Sequence, residues 1–361
     1  MTNDINLILK RYGRAIREQR RANADVAEPA LAPAFQQLIK DLLPHLPAAP
    51  NFAVAPEYAK AGVGRPDIAL IQTGAPPRAF IELKAPSKSA DPEKWKHGDK
   101  LQYERFSELA NWSTCNFHEF RLLARKEQTG QAIVVPEKVL SPDKDDKAAD
   151  KLIDGHDPTP FLTLLERLCA AGLLVPAAGD AKELATLLAH AARLVRGIVR
   201  DRLPELPQEA DAANPKHPLN QVRQVFREVL YAHPEAAGYA EKDFDKLFSA
   251  AFAQTLAFGL LLVREATGKP VGADSWKQMP EEHPLMRTAL RVLSQEEIAE
   301  DIGVGFDVIR DTVNSFAPEI LAIGEDGRDP ILYFYEDFLS TFSPEEKERF
   351  GVFYTPIEVV R

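Results

Sequence analysis

The stretch Gly64-Arg65-Pro66-Asp67-Ile68-Ala69-Leu70, followed by Phe80-Ile81-Glu82-Leu83-Lys84, brings together residue types that can do chemistry. Ile68 to Ile71 and Ala79 to Leu83 are short apolar runs split by Thr73-Gly74-Ala75-Pro76-Pro77, the pattern of a hairpin. Asp67 then stands at the mouth of one strand, and the alternation of strand side chains puts Glu82 and Lys84 on one face of the next. Asp67, Glu82 and Lys84 so placed converge at one sheet edge. Hard carboxylate oxygens suit Mg²⁺, which binds through one or two carboxylates, several waters and a substrate phosphate. Such an ion lowers the pKa of a bound water, and Lys84 can position that water or neutralise charge developing on the phosphate. The bland alternative is a turn-capping Asp67 beside an exposed Glu82/Lys84 pair of small energetic value.

The elements that must position these groups follow from periodicity. Leu31, Phe35, Leu38, Ile39 and Leu42 recur at helical spacing, and Leu43-Pro44 ends that helix. A further helix is expected around Lys100 to Ala110. Residues 1–125 thus read as an α/β or α+β domain. Lys126 to Pro160 carries one apolar run at Ala132 to Val135 among turn and charge signals, and reads as a terminal strand followed by an exposed linker. Residues 161–342 read as all helical: Asp180 with Glu183 gives a capping-box signal before the stripe Leu184, Leu187, Leu188, Ala191, Leu194, Val195 and Ile198. Further helices are expected at Gln221 to Tyr231, Glu241 to Arg264, Met286 to Leu293 and Ile331 to Phe342.

Composition bounds the function. With 45% hydrophobic and 27% charged residues, the 361-residue chain is too apolar for disorder and long enough for two or three domains. Cys115 and Cys169 form no C-x-x-C pair, which points to reduced thiols in a cytoplasmic protein. The longest apolar stretch, Ala250 to Val263, is interrupted by Gln254 and Thr255, so no membrane span is expected. A net charge of -10 argues against a nucleic-acid partner only when averaged. Residues 1–125 hold 18 Lys/Arg against 14 Asp/Glu, a balance of +4, and the remainder holds 26 against 40, a balance of -14. Lys10, Arg14, Arg17 and Arg21 line one helical face that either contacts phosphates or is simply solvated. Lys94, Lys96 and His97 beside Trp95 form a second modest basic patch with the same two readings.

Pro66-Asp67 with Glu82-Leu83-Lys84 resembles the signature of the PD-(D/E)XK nuclease family. Glu28, at the start of the preceding helix, matches a position where that family often keeps another acid; as a residue it could equally be a helix-start acid favoured by the macrodipole. Gln102, Arg105 and Phe106 resemble the family's Gln-x-x-x-Tyr extension, with Phe106 lacking the hydroxyl and better suited to the core. The resemblance implies Asp67 and Glu82 as Mg²⁺ ligands, Lys84 assisting the water, and Gln102 and Glu28 in support.

A second resemblance lies at the far end. Asp329-Pro330-Ile331-Leu332-Tyr333-Phe334-Tyr335-Glu336-Asp337-Phe338 and Arg349-Phe350-Gly351-Val352-Phe353-Tyr354-Thr355-Pro356 look like the opening of the adenine-specific methyltransferase domain in single-chain restriction-modification enzymes. Glu241 to Arg264 resembles the helical spacer of the type ISP and type IIG-like members, and Asn111, Thr114 and Phe120 fit their strand after the nuclease helix. This implies an N-terminal nuclease-like domain (1–125), a strand and linker (126–160), a helical connector (161–342) and the first residues of a methyltransferase (343–361). Phe353, Tyr354, Thr355 and Pro356 would then help hold S-adenosylmethionine in a full-length parent. No Asp-Pro-x-x-Gly-x-Gly or Asn-Pro-Pro-Tyr follows, so the resemblance implies a piece of a longer enzyme whose methylating and target-recognition domains are its missing partners. Gly268-Lys269 runs into Pro270, so no phosphate loop for ATP is formed, and Gly303-x-Gly305 reads as a turn.

The expected function is therefore Mg²⁺-dependent hydrolysis of double-stranded DNA in a phage-defence enzyme that also methylates adenine. The rival expectation is a catalytically degenerate nuclease fold that serves a methyltransferase as a DNA-binding scaffold.

Overall fold

The computed structural model describes residues 2–23, 27–47, 52–57, 66–72, 77–171, 178–206, 216–231, 241–321 and 330–345. The chain divides into two compact units, Met1–Leu174 and Val175–Arg361.

The first unit is built on a six-stranded mixed sheet in sequence order. β1 (Phe52–Pro56), β2 (Ile68–Gln72) and β3 (Pro77–Leu83) pair antiparallel, with Ile68 opposite Ile81. The expected hairpin pairing of β2 and β3 is thus present. β4 (Trp112–Cys115) then runs parallel to β3, which requires a crossover, and α3 (Gly98–Phe106) supplies it. β5 (Glu119–Ala124) and β6 (Glu127–Ile133) complete the sheet antiparallel.

Two helices precede these strands. α1 (Thr2–Ala22) packs on α2 (Glu28–Leu42), whose buried residues Leu31, Phe35, Leu38, Ile39 and Leu42 are the expected stripe. Each of these apolar side chains contributes on the order of 2 kcal/mol by leaving water. Leu43-Pro44 tightens the helix end into a 3-10 turn before the chain enters the sheet.

In residues 126–160 the expected terminal strand is β6, but the expected exposed linker is not there. After β6 a 3-10 turn at Glu137–Leu140 buries Val139 and Leu140, and α4 (Asp146–Asp154) packs on α1. Asp145 caps α4 by accepting from Ala148 N. α5 (Thr159–Ala171), expected to open the helical connector, instead packs on β3, β5 and β6 with Phe161, Leu165 and Leu168 buried. Charge-rich sequence reads as linker when its counter-ions lie far away in the chain, and here they lie on α1. Asp146, Asp150 and Asp154 pair with Arg17, Arg14 and Lys10. Arg17 is fully buried and also donates to Val139 O at 2.8 Å.

The second unit is helical among its described residues. α6 (Ala181–Arg202) opens with Asp180 accepting from Glu183 N at 2.7 Å, as the capping signal requires, while Glu183 accepts from Gly179 N. α7 (Pro218–Tyr231), α8 (Glu241–Thr267) and α9 (Pro284–Leu293) match expectation closely. α10 (Glu296–Ile302) and α11 (Val304–Asn314) were not expected, and α12 (Pro330–Phe342) was. Gly303 has φ +51° between α10 and α11, whereas Gly305 is no turn residue: it lies inside α11 against Val195 and Ile198 of α6. α8 is long and apolar enough to cross a membrane by composition, but it packs on α6, α9 and α11 and occupies the place of a core helix.

Candidate functional site

Strand order brings the site together. β2 begins where β3 ends, so Asp67, one residue before β2, lies beside the end of β3. Beyond the last paired rung the Leu83 N–H has no β2 carbonyl to meet, and Asp67 Oδ2 accepts it at 2.6 Å. Lys84 N donates to Cys115 O at 2.8 Å and so carries the β3/β4 pairing one residue past the strand. Glu82 and Lys84 point to one face as alternation requires, with Lys84 Nζ 2.6 Å from Glu82 Oε1. Both side chains are about 95% buried, so the exposed-pair alternative does not hold.

α3 closes the site from the crossover. Gln102 Nε2 donates to Glu82 Oε2 at 3.0 Å, which leaves each oxygen of Glu82 with a donor. Asp99, one turn earlier on the same helix, places Oδ1 3.3 Å from Lys84 Nζ and Oδ2 2.7 Å from Lys88 Nζ. The ring of Trp95 lies 4.7 Å from the Lys84 ammonium. Asp99 was not singled out in the sequence, and Trp95 only as the neighbour of a basic patch. The Asp99/Gln102 spacing of i, i+3 on one helix face was the available signal for the first. Trp95 is buried beneath Lys84, while its neighbours Lys94, Lys96 and His97 are exposed, with Lys94 3.4 Å from Asp91.

The electrostatics are those of too many carboxylates for one ammonium. Burial, and then repulsion from Asp67, pushes Glu82 up to about 8 despite the Lys84 contact. Burial raises Asp67 as well, opposed by the Leu83 N–H and Lys84. Glu28, at the first turn of α2, is pushed up to about 7 by burial and by Asp67, and feels Lys84, Lys88 and Asp99. The structure therefore brings Glu28 into the same electrostatic group as Asp67 and Lys84. Burial alone would lower Lys84, but Glu82, Glu28 and Asp99 outweigh it and the ammonium is held charged. Groups this strongly coupled titrate as a set, sharing protons among the carboxylates near neutral pH.

This donor set fits a divalent cation. Two carboxylates whose negative charge is disfavoured by burial and mutual repulsion gain from a cation between them, and Mg²⁺ needs only one or two protein carboxylates with waters filling the rest. Among the described residues no group of three or more His, Cys, Asp or Glu is placed to hold a metal ion. A closed all-protein cage of the zinc or calcium kind is therefore not what the described residues offer.

The remaining sequence candidates fall into three places. Phe106 is fully buried and stacks on Trp112 with centroids 5.2 Å apart, a core residue as its chemistry suggested. The basic face of α1 is largely engaged within the chain: Lys10, Arg14 and Arg17 pair with acids of α4 and only Arg17 is buried, while Arg14 and Arg21 stay exposed in part. Phe353, Tyr354, Thr355 and Pro356 lie outside the described residues.

Comparison with solved structures adds distant likenesses. Over 98% of its length the chain is similar to a chain in a structure described as "cryoEM structure DrdV-DNA complex", at 17% identity and a TM-score of 0.32. This chain spans 30% of the length of that one. No protein-family model matches the chain, and no curated protein matches it.

Proposed function

We propose that the first unit is a Mg²⁺-dependent endonuclease module that hydrolyses phosphodiesters of double-stranded DNA. The observation that carries this reading is the convergence of Asp67, Glu82, Lys84 and Gln102 at the end of β3, each held by a specific hydrogen bond or ion pair. Asp67 and Glu82 would hold Mg²⁺, which when bound lowers the pKa of water and offsets charge on the phosphate. The chain's own residues do the rest. The Leu83 N–H fixes the direction of Asp67, and Gln102 fixes the carboxylate plane of Glu82. Lys84 presents a permanently charged ammonium to the attacking water or to a phosphate oxygen. Glu28 carries a carboxyl that is part protonated near neutral pH, which suits it to accept or return a proton at the edge of the site.

The wider reading extends to a longer restriction-modification enzyme in which the second unit connects this module to an adenine methyltransferase. Phe353, Tyr354, Thr355 and Pro356 would there contribute to an S-adenosylmethionine site, and loss of S-adenosylmethionine binding by such a protein on Tyr354→Ala is the expected outcome.

The test of the nuclease is direct. The chain, incubated with unmethylated DNA and Mg²⁺, should nick or cut it, and Asp67→Ala and Lys84→Ala should each lower the rate by about 100-fold or more. Cleavage surviving equally in both variants would remove the assignment. DNA binding without cleavage by the unaltered chain would favour a scaffold, the reading that Phe106 without a hydroxyl keeps open.

A further inference from the structure

We propose that Asp99, with Trp95, is a positioning residue that takes over the Lys84 ammonium when a cation occupies Glu82, an inference that rests on the reading of the site given above. In the structure the ammonium sits 2.6 Å from Glu82 Oε1, an oxygen for which a cation held by Glu82 would compete. Cation and ammonium compete for that oxygen and repel each other. A buried lysine driven off its carboxylate with nowhere to go is left as an uncompensated charge, which is strongly unfavourable. Asp99 removes that obstacle, because its Oδ1 already lies 3.3 Å from the same nitrogen on the side of α3.

The anchor is itself fixed. Lys88 holds Asp99 Oδ2 at 2.7 Å and leaves Oδ1 for Lys84. The Trp95 ring, 4.7 Å from Lys84 Nζ, supplies an electron-rich face that favours a cation at that spot. Its indole N–H donates to Ser89 O at 2.9 Å, and Tyr103 meets its ring edge-on. The loop that carries it is pinned to β4 and the residue beyond by Thr114 Oγ1 donating to Ala90 O at 2.6 Å and Asn116 Nδ2 donating to Lys88 O at 2.9 Å. Lys84 is thereby confined to a short path between two carboxylates, within reach of the site in either position.

A double-mutant cycle on cation affinity separates this role from simple charge. Mg²⁺ and, in parallel, Ca²⁺ are titrated calorimetrically into the full chain and into Asp99→Asn, Lys84→Met and the double variant, with circular dichroism verifying the fold. Asp99→Asn should weaken binding about fivefold, since Lys84 then loses the carboxylate that would receive it, and in the Lys84→Met background the same change should stay within about twofold. An equal loss in both backgrounds, or no loss in the single variant, overturns the inference while leaving the nuclease reading standing. Absence of cation binding by the unaltered chain removes both. Should Lys84→Met fail to fold, Lys84→Gln serves in its place, since it also lacks the ammonium.

Discussion

Without divalent cations the acidic site should make the first unit less stable as pH rises, and Glu82→Gln should lessen that dependence, the remainder belonging to Glu28 and Asp67. Glu82 is pushed up to about 8 in the folded chain, against about 4.5 when unfolded. Between those values the folded state holds a proton that the unfolded state has lost, so stability falls with pH. The contribution is fully present below about pH 4.5 and is lost as pH rises through about 8. A shift of about 3.5 units corresponds to a ceiling of about 5 kcal/mol, a large share of the roughly 5–15 kcal/mol that a domain has. Glu82→Gln carries no charge to bury, so relative to the unaltered chain it should gain stability steadily from about pH 5 to about pH 9. Urea unfolding in EDTA across pH 5–9 measures this, followed by the fluorescence of Trp95 and Trp112 in a Trp276→Phe background that silences the second unit. Mg²⁺ should reverse the trend, adding more stability at pH 8 than at pH 6, because it binds the deprotonated carboxylates. Parallel pH profiles for the unaltered chain and Glu82→Gln would refute the reasoning, since the proton would then reside elsewhere.

Two packing predictions follow from single contacts. Arg17→Met keeps the buried stem but leaves the Val139 carbonyl without its donor, and should cost about 2–3 kcal/mol in a denaturant titration of the first unit. Gly305→Ala would place a methyl 2.8 Å from Val195 Cγ2 and 3.0 Å from Ile198 Cδ1, and should lower the second unit's stability by about 1–3 kcal/mol. Adding Val195→Ala should recover most of that loss, and failure to recover it would mean that the α6/α11 contact is not the cause.

What could be read from the sequence was what depends on near neighbours. Alternation placed Glu82 and Lys84 on one face, the β2/β3 hairpin put Asp67 beside them, and the i, i+4 stripe of α2 located the helix that carries Glu28. Pairings across long separations left no local mark. The parallel register of β3 with β4, which sets the position of α3 and hence of Gln102 and Asp99, depends on residues some thirty positions apart, such as Glu82 and Thr114. α4 was invisible for a different reason: Asp146-Lys147-Ala148-Ala149-Asp150-Lys151-Leu152-Ile153-Asp154 has the composition of a linker. Only its partners on α1 turn its acids into a packed face. The same blindness left the basic side of α1 to phosphates or solvent, when Lys10, Arg14 and Arg17 each have an acid partner on α4. Asp99 escaped notice because a lone acid in a first helical turn is ordinary; its significance comes from Lys84, fifteen residues back on the sheet.

The ladder between α1 and α4 also sets an order of events during synthesis. Arg17 is made 129 residues before Asp146, which at about 5–20 residues per second is a wait of roughly 6–26 s. Through that interval Lys10, Arg14 and Arg17 lack their acids on α4, and Arg17 has no carbonyl of Val139 to bury against. The acidic helix therefore acts as a late-arriving intramolecular counter-ion, and the first unit can close around its candidate site only after that segment has emerged.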